Sequence, residues 1–195
     1  RNLFLWAWSI TFSIGIGFSA MAYFEKGLIF EQSKEIPSSH ASTIVQLPDG
    51  DMLCAWYSGK QEGARDVAVW ASRFERKSGK WTNPYVLADT PNKPEGNPVL
   101  FVAPEGKVYL HYATIEGTGW ASCSLKYIVS EDSGRTFGPV NYFRKTWGWL
   151  GRNHIVVLSS GEFLFPLYSE ILWRSEFMLS KDGGKTWERA GEIAS

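Results

Sequence analysis

Only two cysteines, Cys54 and Cys123, occur in the 195 residues. Neither belongs to a cluster with metal-ligand spacing, and no cofactor or metal motif is present. A disulfide-rich scaffold is thereby excluded. Both cysteines lie in strand-like stretches, and two buried free thiols are the simpler reading, with a single bridge as the alternative. An excess of charge is also missing: twenty basic and twenty acidic side chains cancel. The sequence therefore has no electrostatic footprint for nucleic acid or for an anionic membrane surface. No segment carries the 3.6-residue apolar period of an amphipathic helix.

Aromatic residues, by contrast, are plentiful, with ten Trp, eight Tyr and twelve Phe. Such residues favour strands, and their flat faces also stack on the apolar faces of sugar rings. Residues 2–24 form a second feature, an uncharged apolar stretch behind Arg1 that ends near the small-x-small triplet Ala20-Met21-Ala22. This fits a secretory signal peptide, a retained membrane anchor of about 20 residues, or a buried strand or helix. Either of the first two places residues 25–195 outside the cytoplasm, as a secreted, periplasmic or membrane-anchored protein.

The remainder repeats itself at a period of about fifty residues. Three segments, beginning at His40, Asn97 and Asn153, run from a polar cluster into an apolar strand. Each turns at Gly50, Gly106 or Gly161 and returns along a second strand. A glycine between two β-rich runs supplies the positive φ of a hairpin. A third strand follows each hairpin and leads to a turn bearing an aromatic, Trp81, Phe137 or Trp187. Four short strands per repeat of this length predict a β-propeller, with blades near 36–90, 91–145 and 146–195. Three blades leave open sheet edges and close no ring, so the chain is expected to be part of a larger propeller or to pair with something else.

The last two turns read Ser-x-Asp-x-Gly-x-Thr-aromatic, from Ser130 and from Ser180. Asp132 and Asp182 suit a structural role, accepting backbone N–H groups while Gly134 and Gly184 allow the reversal. The first repeat keeps only a degenerate version, Lys77 to Trp81. These turns resemble the Asp-boxes of sialidases. The segments 40–59, 62–70, 97–101 and 152–158 extend the resemblance to the bacterial sialidase-like (BNR-repeat) family, over roughly residues 36–195.

That resemblance implies a six-bladed all-β propeller acting on glycans. It further implies an arginine triad for the substrate carboxylate, an Asp general acid/base and a Tyr nucleophile paired with a Glu. By resemblance, Asp66 corresponds to the acid/base. The sequence departs from the pattern at the first inner strand, where His40-Ala41-Ser42 replaces the family's Arg-Ile-Pro. The segments carrying the family's nucleophile and last arginine have no counterpart in these residues.

The residues point to further candidates. The mouth of a propeller is lined by the starts of its inner strands and by the loops joining second strands to third. The strand starts offer His40, Ser42, Asn97, Arg152, Asn153 and His154 for substrate binding, with Arg152 suited to a two-pronged grip on a carboxylate. The loop 57–66 adds Lys60 and Arg65 for binding and Glu62 for catalysis. Tyr168 and Glu170 are two residues apart, which puts them on one face of a strand as a candidate Tyr–Glu pair. Trp120, Trp147 and Trp149 are candidate sugar platforms. The activity expected is exo-acting hydrolysis of a terminal acidic sugar in the manner of sialidases. The alternatives are a lyase or glycosidase acting on uronate-containing polysaccharide, and a non-catalytic glycan-binding propeller.

Overall fold

A computed structural model of the chain describes residues 26–31, 33, 34 and 37–193. Residues 1–24, where a signal peptide or anchor is expected, lie outside the described residues. Among the described residues there is no α-helix; a single 3₁₀ turn covers Trp120–Ser122. The strands form three antiparallel sheets. The first holds β1 (Ser38–Gln46), β2 (Met52–Gly59), β3 (Ala68–Glu75), β4 (Lys80–Trp81) and β5 (Tyr85–Ala88). The second holds β6 (Glu95–Val102), β7 (Val108–Ile115), β8 (Cys123–Ser130) and β9 (Asn141–Arg144). The third holds β10 (Trp149–Gly151), β11 (Val156–Val157), β12 (Phe163–Ser169), β13 (Arg174–Ser180) and β14 (Glu188–Ile193).

Each sheet is a meander whose first hairpin turns at the expected glycine. Gly50, Gly106 and Gly161 sit at φ of 88°, 92° and 90°, where a side chain is strained. In the third sheet β10 and β11 both pair with β12, so together they form one inner strand interrupted at residues 152–155. The three sheets are successive blades of a partial propeller, and the apolar cores lie between them. Leu53, Ala55 and Val69 of the first blade pack with Leu100, Leu110 and Tyr112 of the second. Val99 and Phe101 of the second pack with Phe163, Phe165 and Leu167 of the third.

Polar links cross the same seams. The buried Arg73 pairs with Asp49 and Asp51 of its own blade and donates to the Ser133 carbonyl of the next, at 2.7 Å. Across the second seam the buried Glu176 accepts from Arg144 at 2.8 Å, and the Arg144 guanidinium lies 4.3 Å from the centre of the Trp149 ring. The Asp-box turns act as the sequence implies. Asp132 Oδ1 accepts the Arg135 and Thr136 N–H groups at 3.0 and 2.8 Å, and its Oδ2 accepts the Thr136 hydroxyl at 2.6 Å. Asp182 repeats the pattern with Lys185 and Thr186. The Thr hydroxyl and N–H groups hold both carboxyls below the usual range, Asp182 at about 2.

Cys54 and Cys123 are both free and buried, and burial pushes their thiols up to about 11 and about 12. Such thiols stay protonated and unreactive at neutral pH. His111 is buried among Tyr109, Tyr127, Phe143 and Phe165, and its Nδ1 has no hydrogen-bond partner. Burial lowers its pKa to about 3. The unfolded chain therefore binds this proton below about 6.5 while the folded chain does not, and stability falls as pH drops from about 6.5 towards 3. The expected slope from this one ring is roughly 1.4 kcal/mol per pH unit. His111→Phe should flatten it, and urea titrations at pH 7 and pH 5 measure the difference between the two proteins.

Candidate functional site

The inner strands of all three blades break register at the same level. The β1–β2 ladder shifts between His40 and Thr43, the β6–β7 ladder between Gly96 and Val99, and the third inner strand is interrupted at 152–155. A bulge bends its strand and re-aims the side chains beside it. Ala41 and Asn97, within the first two bulges, adopt left-handed φ of 50° and 46°. The three breaks turn polar side chains towards the propeller axis, where a cleft of about 390 Å³ opens. His40, Ala41, Ser42, Tyr57, Glu62, Asn97, Pro98 and Arg152 line it.

Hydrogen bonds and ring contacts fix the walls. The Tyr57 hydroxyl donates to Glu62 Oε1 at 2.9 Å. The His40 ring stacks on Tyr57 at 5.4 Å between centroids, with Nε2 2.8 Å from the Ser38 hydroxyl. Asn97 Nδ2 donates to the Tyr168 hydroxyl at 2.9 Å, and the Arg152 guanidinium lies 5.8 Å from the centre of the Tyr168 ring. Trp120 braces the wall from behind, edge-on to Tyr57 at 6.2 Å and lying over Gly96. A Cβ at Gly96 would fall 2.3 Å from the Trp120 ring, so this contact requires glycine.

Electrostatics divide the cleft into two kinds of group. Burial, reinforced by the Glu62 carboxylate, raises the Tyr57 phenol well above its ordinary value, against a smaller opposing pull from Arg152. Burial likewise raises Tyr168, again opposed by Arg152. Both phenols are neutral at physiological pH and act as hydrogen-bonding groups. Arg152 is exposed, and among the described residues it makes no ion pair. It is the only guanidinium among the cleft-lining residues.

The sequence candidates divide accordingly. His40, Ser42, Glu62, Asn97 and Arg152 come together in the cleft. Lys60, Arg65 and Asp66 are exposed on the loop after β2 and do not line it. Asp66 Oδ2 accepts the Lys60 N–H at 3.2 Å, which closes that loop on itself. Asn153 and His154 are exposed in the strand break, with His154 Nδ1 3.4 Å from the Leu100 carbonyl oxygen. The Tyr168–Glu170 pairing does not form. β12 ends at Ser169, Glu170 belongs to the following turn, and the Tyr168 hydroxyl is taken by Asn97.

The Tyr–Glu pair present is Tyr57–Glu62, which sequence reasoning missed because its partners span a loop instead of alternating along a strand. The five-residue separation of Tyr57 and Glu62 across the loop after β2 is the only sequence signal for it, and the β1–β2 register adds His40 opposite Tyr57. Of the three candidate platforms, Trp149 is buried under Arg144 and Trp120 is the brace, which leaves Trp147 exposed.

Residues 50–194 match the family described as the BNR repeat-like domain. The chain belongs to this family. A comparison with curated proteins found no match. Among solved structures, a Hadza microbial sialidase is 17% identical with a TM-score of 0.67, over 82% of this chain and 38% of that one. The NanB sialidase from Streptococcus pneumoniae is 10% identical with a TM-score of 0.66, over 86% of this chain and 46% of that one. An α-L-arabinanase from Penicillium chrysogenum, complexed with arabinobiose, is 17% identical with a TM-score of 0.63, over 86% and 53%. This BNR repeat-like chain thus spans about two fifths to one half of the length of these structures and shares their propeller fold.

Proposed function

We propose that this chain supplies the acid-binding side of an exo-acting glycoside hydrolase of the sialidase type, which releases a terminal acidic sugar from glycans. One observation carries the reading: Arg152, which makes no ion pair among the described residues, lines a polar cleft with the neutral Tyr57 and lies over the neutral Tyr168 ring. A guanidinium in that setting recognises a carboxylate through two parallel N–H···O bonds. Asn97 and His40 are placed to bond sugar hydroxyls around the same point. In the reaction, water adds at the anomeric carbon, the glycosidic C–O bond breaks and the leaving oxygen takes a proton. Glu62 is the carboxylate at the cleft. Asp66, the acid/base by family resemblance, lies on the same loop, four residues on.

A second reading follows from His40. A stacked imidazole stands at the first inner strand, and Arg152 is the only cleft arginine among the described residues. A uronate carboxylate needs one guanidinium, and a histidine beside it suits proton abstraction, so a lyase or glycosidase acting on uronate-containing polysaccharide also fits. In both readings residues 1–24 serve as signal peptide or anchor and the propeller works outside the cytoplasm. The test is hydrolysis of a fluorogenic sialoside and of a uronate polysaccharide by the full-length protein, with Glu62→Gln and Asp66→Ala beside the wild type. Loss of kcat by at least a hundredfold in either variant, with the melting temperature kept, supports a catalytic carboxyl on this loop. Wild-type turnover that both variants retain contradicts it.

A further inference from the structure

We infer that the rim of the third blade is a second, aromatic sugar-binding shelf, so that the cleft takes the end of an oligosaccharide chain and not a lone acidic sugar. This rests on the carbohydrate reading of the cleft and deepens it. The shelf is built from two adjoining loops at the mouth end of the blade, residues 145–148 and 170–173. The Glu170 N–H donates to the Gly148 carbonyl at 2.8 Å, and a Cβ at Gly148 would fall 2.7 Å from the Ile171 side chain. Together the loops expose Trp147, Ile171, Leu172 and Trp173, with Trp173 73% exposed. An exposed apolar cluster of this kind marks a binding surface, and no other run of three exposed large apolar residues occurs among the described residues.

The backbone carries an independent mark. Five non-glycine residues among those described sit at positive φ, and Trp173, at 50°, is the only aromatic one. Two of the others, Ala41 and Asn97, shape the cleft. A bulky residue in the left-handed region is strained, and such strain concentrates at ligand-binding positions.

Position and charge select the occupant. Tyr168, whose ring lies under Arg152, is the penultimate residue of β12, which leads directly into the shelf loop, so cleft and shelf are continuous along one strand end. A cleft of about 390 Å³ is small for an oligosaccharide, so the rest of a glycan leaving it runs out over the surrounding loops. Indole faces stack on the apolar faces of neutral sugar rings. A membrane-inserting tip needs a basic surround. Here Arg174 is paired with Glu192 at 2.9 Å, and Lys145 and Glu170, the two charged residues of the shelf loops, cancel, so the surround is not basic.

The experiment is calorimetric titration of the full-length chain with free sialic acid and with a sialic-acid-terminated tetrasaccharide, repeated with the corresponding uronate and uronate-terminated tetrasaccharide. The variants are Trp147→Ala and Trp173→Asn; asparagine tolerates the left-handed backbone and removes the indole without adding strain. The expected result is about tenfold weaker binding of the tetrasaccharide in Trp173→Asn, with affinity for the free sugar unchanged. Three results overturn the shelf while leaving the cleft reading intact: unaltered tetrasaccharide affinity in both variants; a fall in melting temperature with both affinities unchanged, which makes the rim a packing face; and wild-type co-sedimentation with phosphatidylcholine–phosphatidylserine vesicles that Trp173→Asn abolishes. Failure of the wild type to bind any of these saccharides overturns the cleft reading and the shelf together.

Discussion

Arg152→Ala is expected to weaken binding of an acidic monosaccharide by on the order of a hundredfold, roughly 3 kcal/mol, through loss of a charge-assisted, two-pronged bond. Stability should hardly move. Arg152 is exposed and without an ion pair among the described residues, and its ring contact with Tyr168 is a loose one at 5.8 Å. An exposed cation over an aromatic face contributes about 0.5–1 kcal/mol. Arg152→Lys keeps the charge and loses the planar fork, so it should fall between wild type and alanine. Calorimetry alongside a thermal melt separates the two effects. A large drop in melting temperature with unchanged affinity would move Arg152 from the binding site to the scaffold.

Arg73→Ala carries the second large effect, and it is structural. The Arg73 side chain bonds Asp49, Asp51 and the Ser133 carbonyl, and so ties the first hairpin turn to the Asp-box turn of the next blade. Arg135 joins from the second blade, 2.9 Å from Asp49. Removing Arg73 leaves two carboxylates and a carbonyl without their shared partner. Breaking a buried ion pair costs about 3–5 kcal/mol. Asp49 and Asp51 retain some contact with water, which puts the expected loss nearer 2–4 kcal/mol. Arg73→Lys should recover less than half, because one ammonium cannot reach all three acceptors in the guanidinium's plane. Urea unfolding of the three proteins measures the series, and a loss below about 0.5 kcal/mol in alanine would show that the seam is held by its apolar core alone.

Much of the architecture was legible in the sequence because it is local. A glycine in each hairpin turn and a Ser-x-Asp-x-Gly-x-Thr-aromatic turn after each of the last two third strands are short-range rules. Gly50, Gly106 and Gly161 obey the first, and Asp132 and Asp182 the second, as expected. The inter-blade network of Arg73 was not legible, because Ser133 lies sixty residues further along and no spacing rule connects them.

The candidate site was half legible for the same reason. Polar residues at the strand starts proclaimed a mouth, and His40, Asn97 and Arg152 do meet there. The bulges that turn them inward were invisible, since the left-handed backbone there falls on Ala41 and Asn97 and not on a glycine. Glu62 over Asp66 at the cleft, and Tyr57 over Tyr168 as the partner of a glutamate, were both decided by loop geometry that alternation along a strand does not describe.

In the proposed function, Arg152 makes this a cleft for acidic sugars. The most direct test is the turnover by the full-length protein of a fluorogenic sialoside, a uronate-terminated glycan and a neutral arabinoside of similar size, with wild type and Arg152→Ala compared on each. Cleavage of an acidic glycan only is expected, with its loss in Arg152→Ala. Cleavage of the neutral arabinoside by both proteins at equal rates, with the acidic glycans untouched, would contradict it.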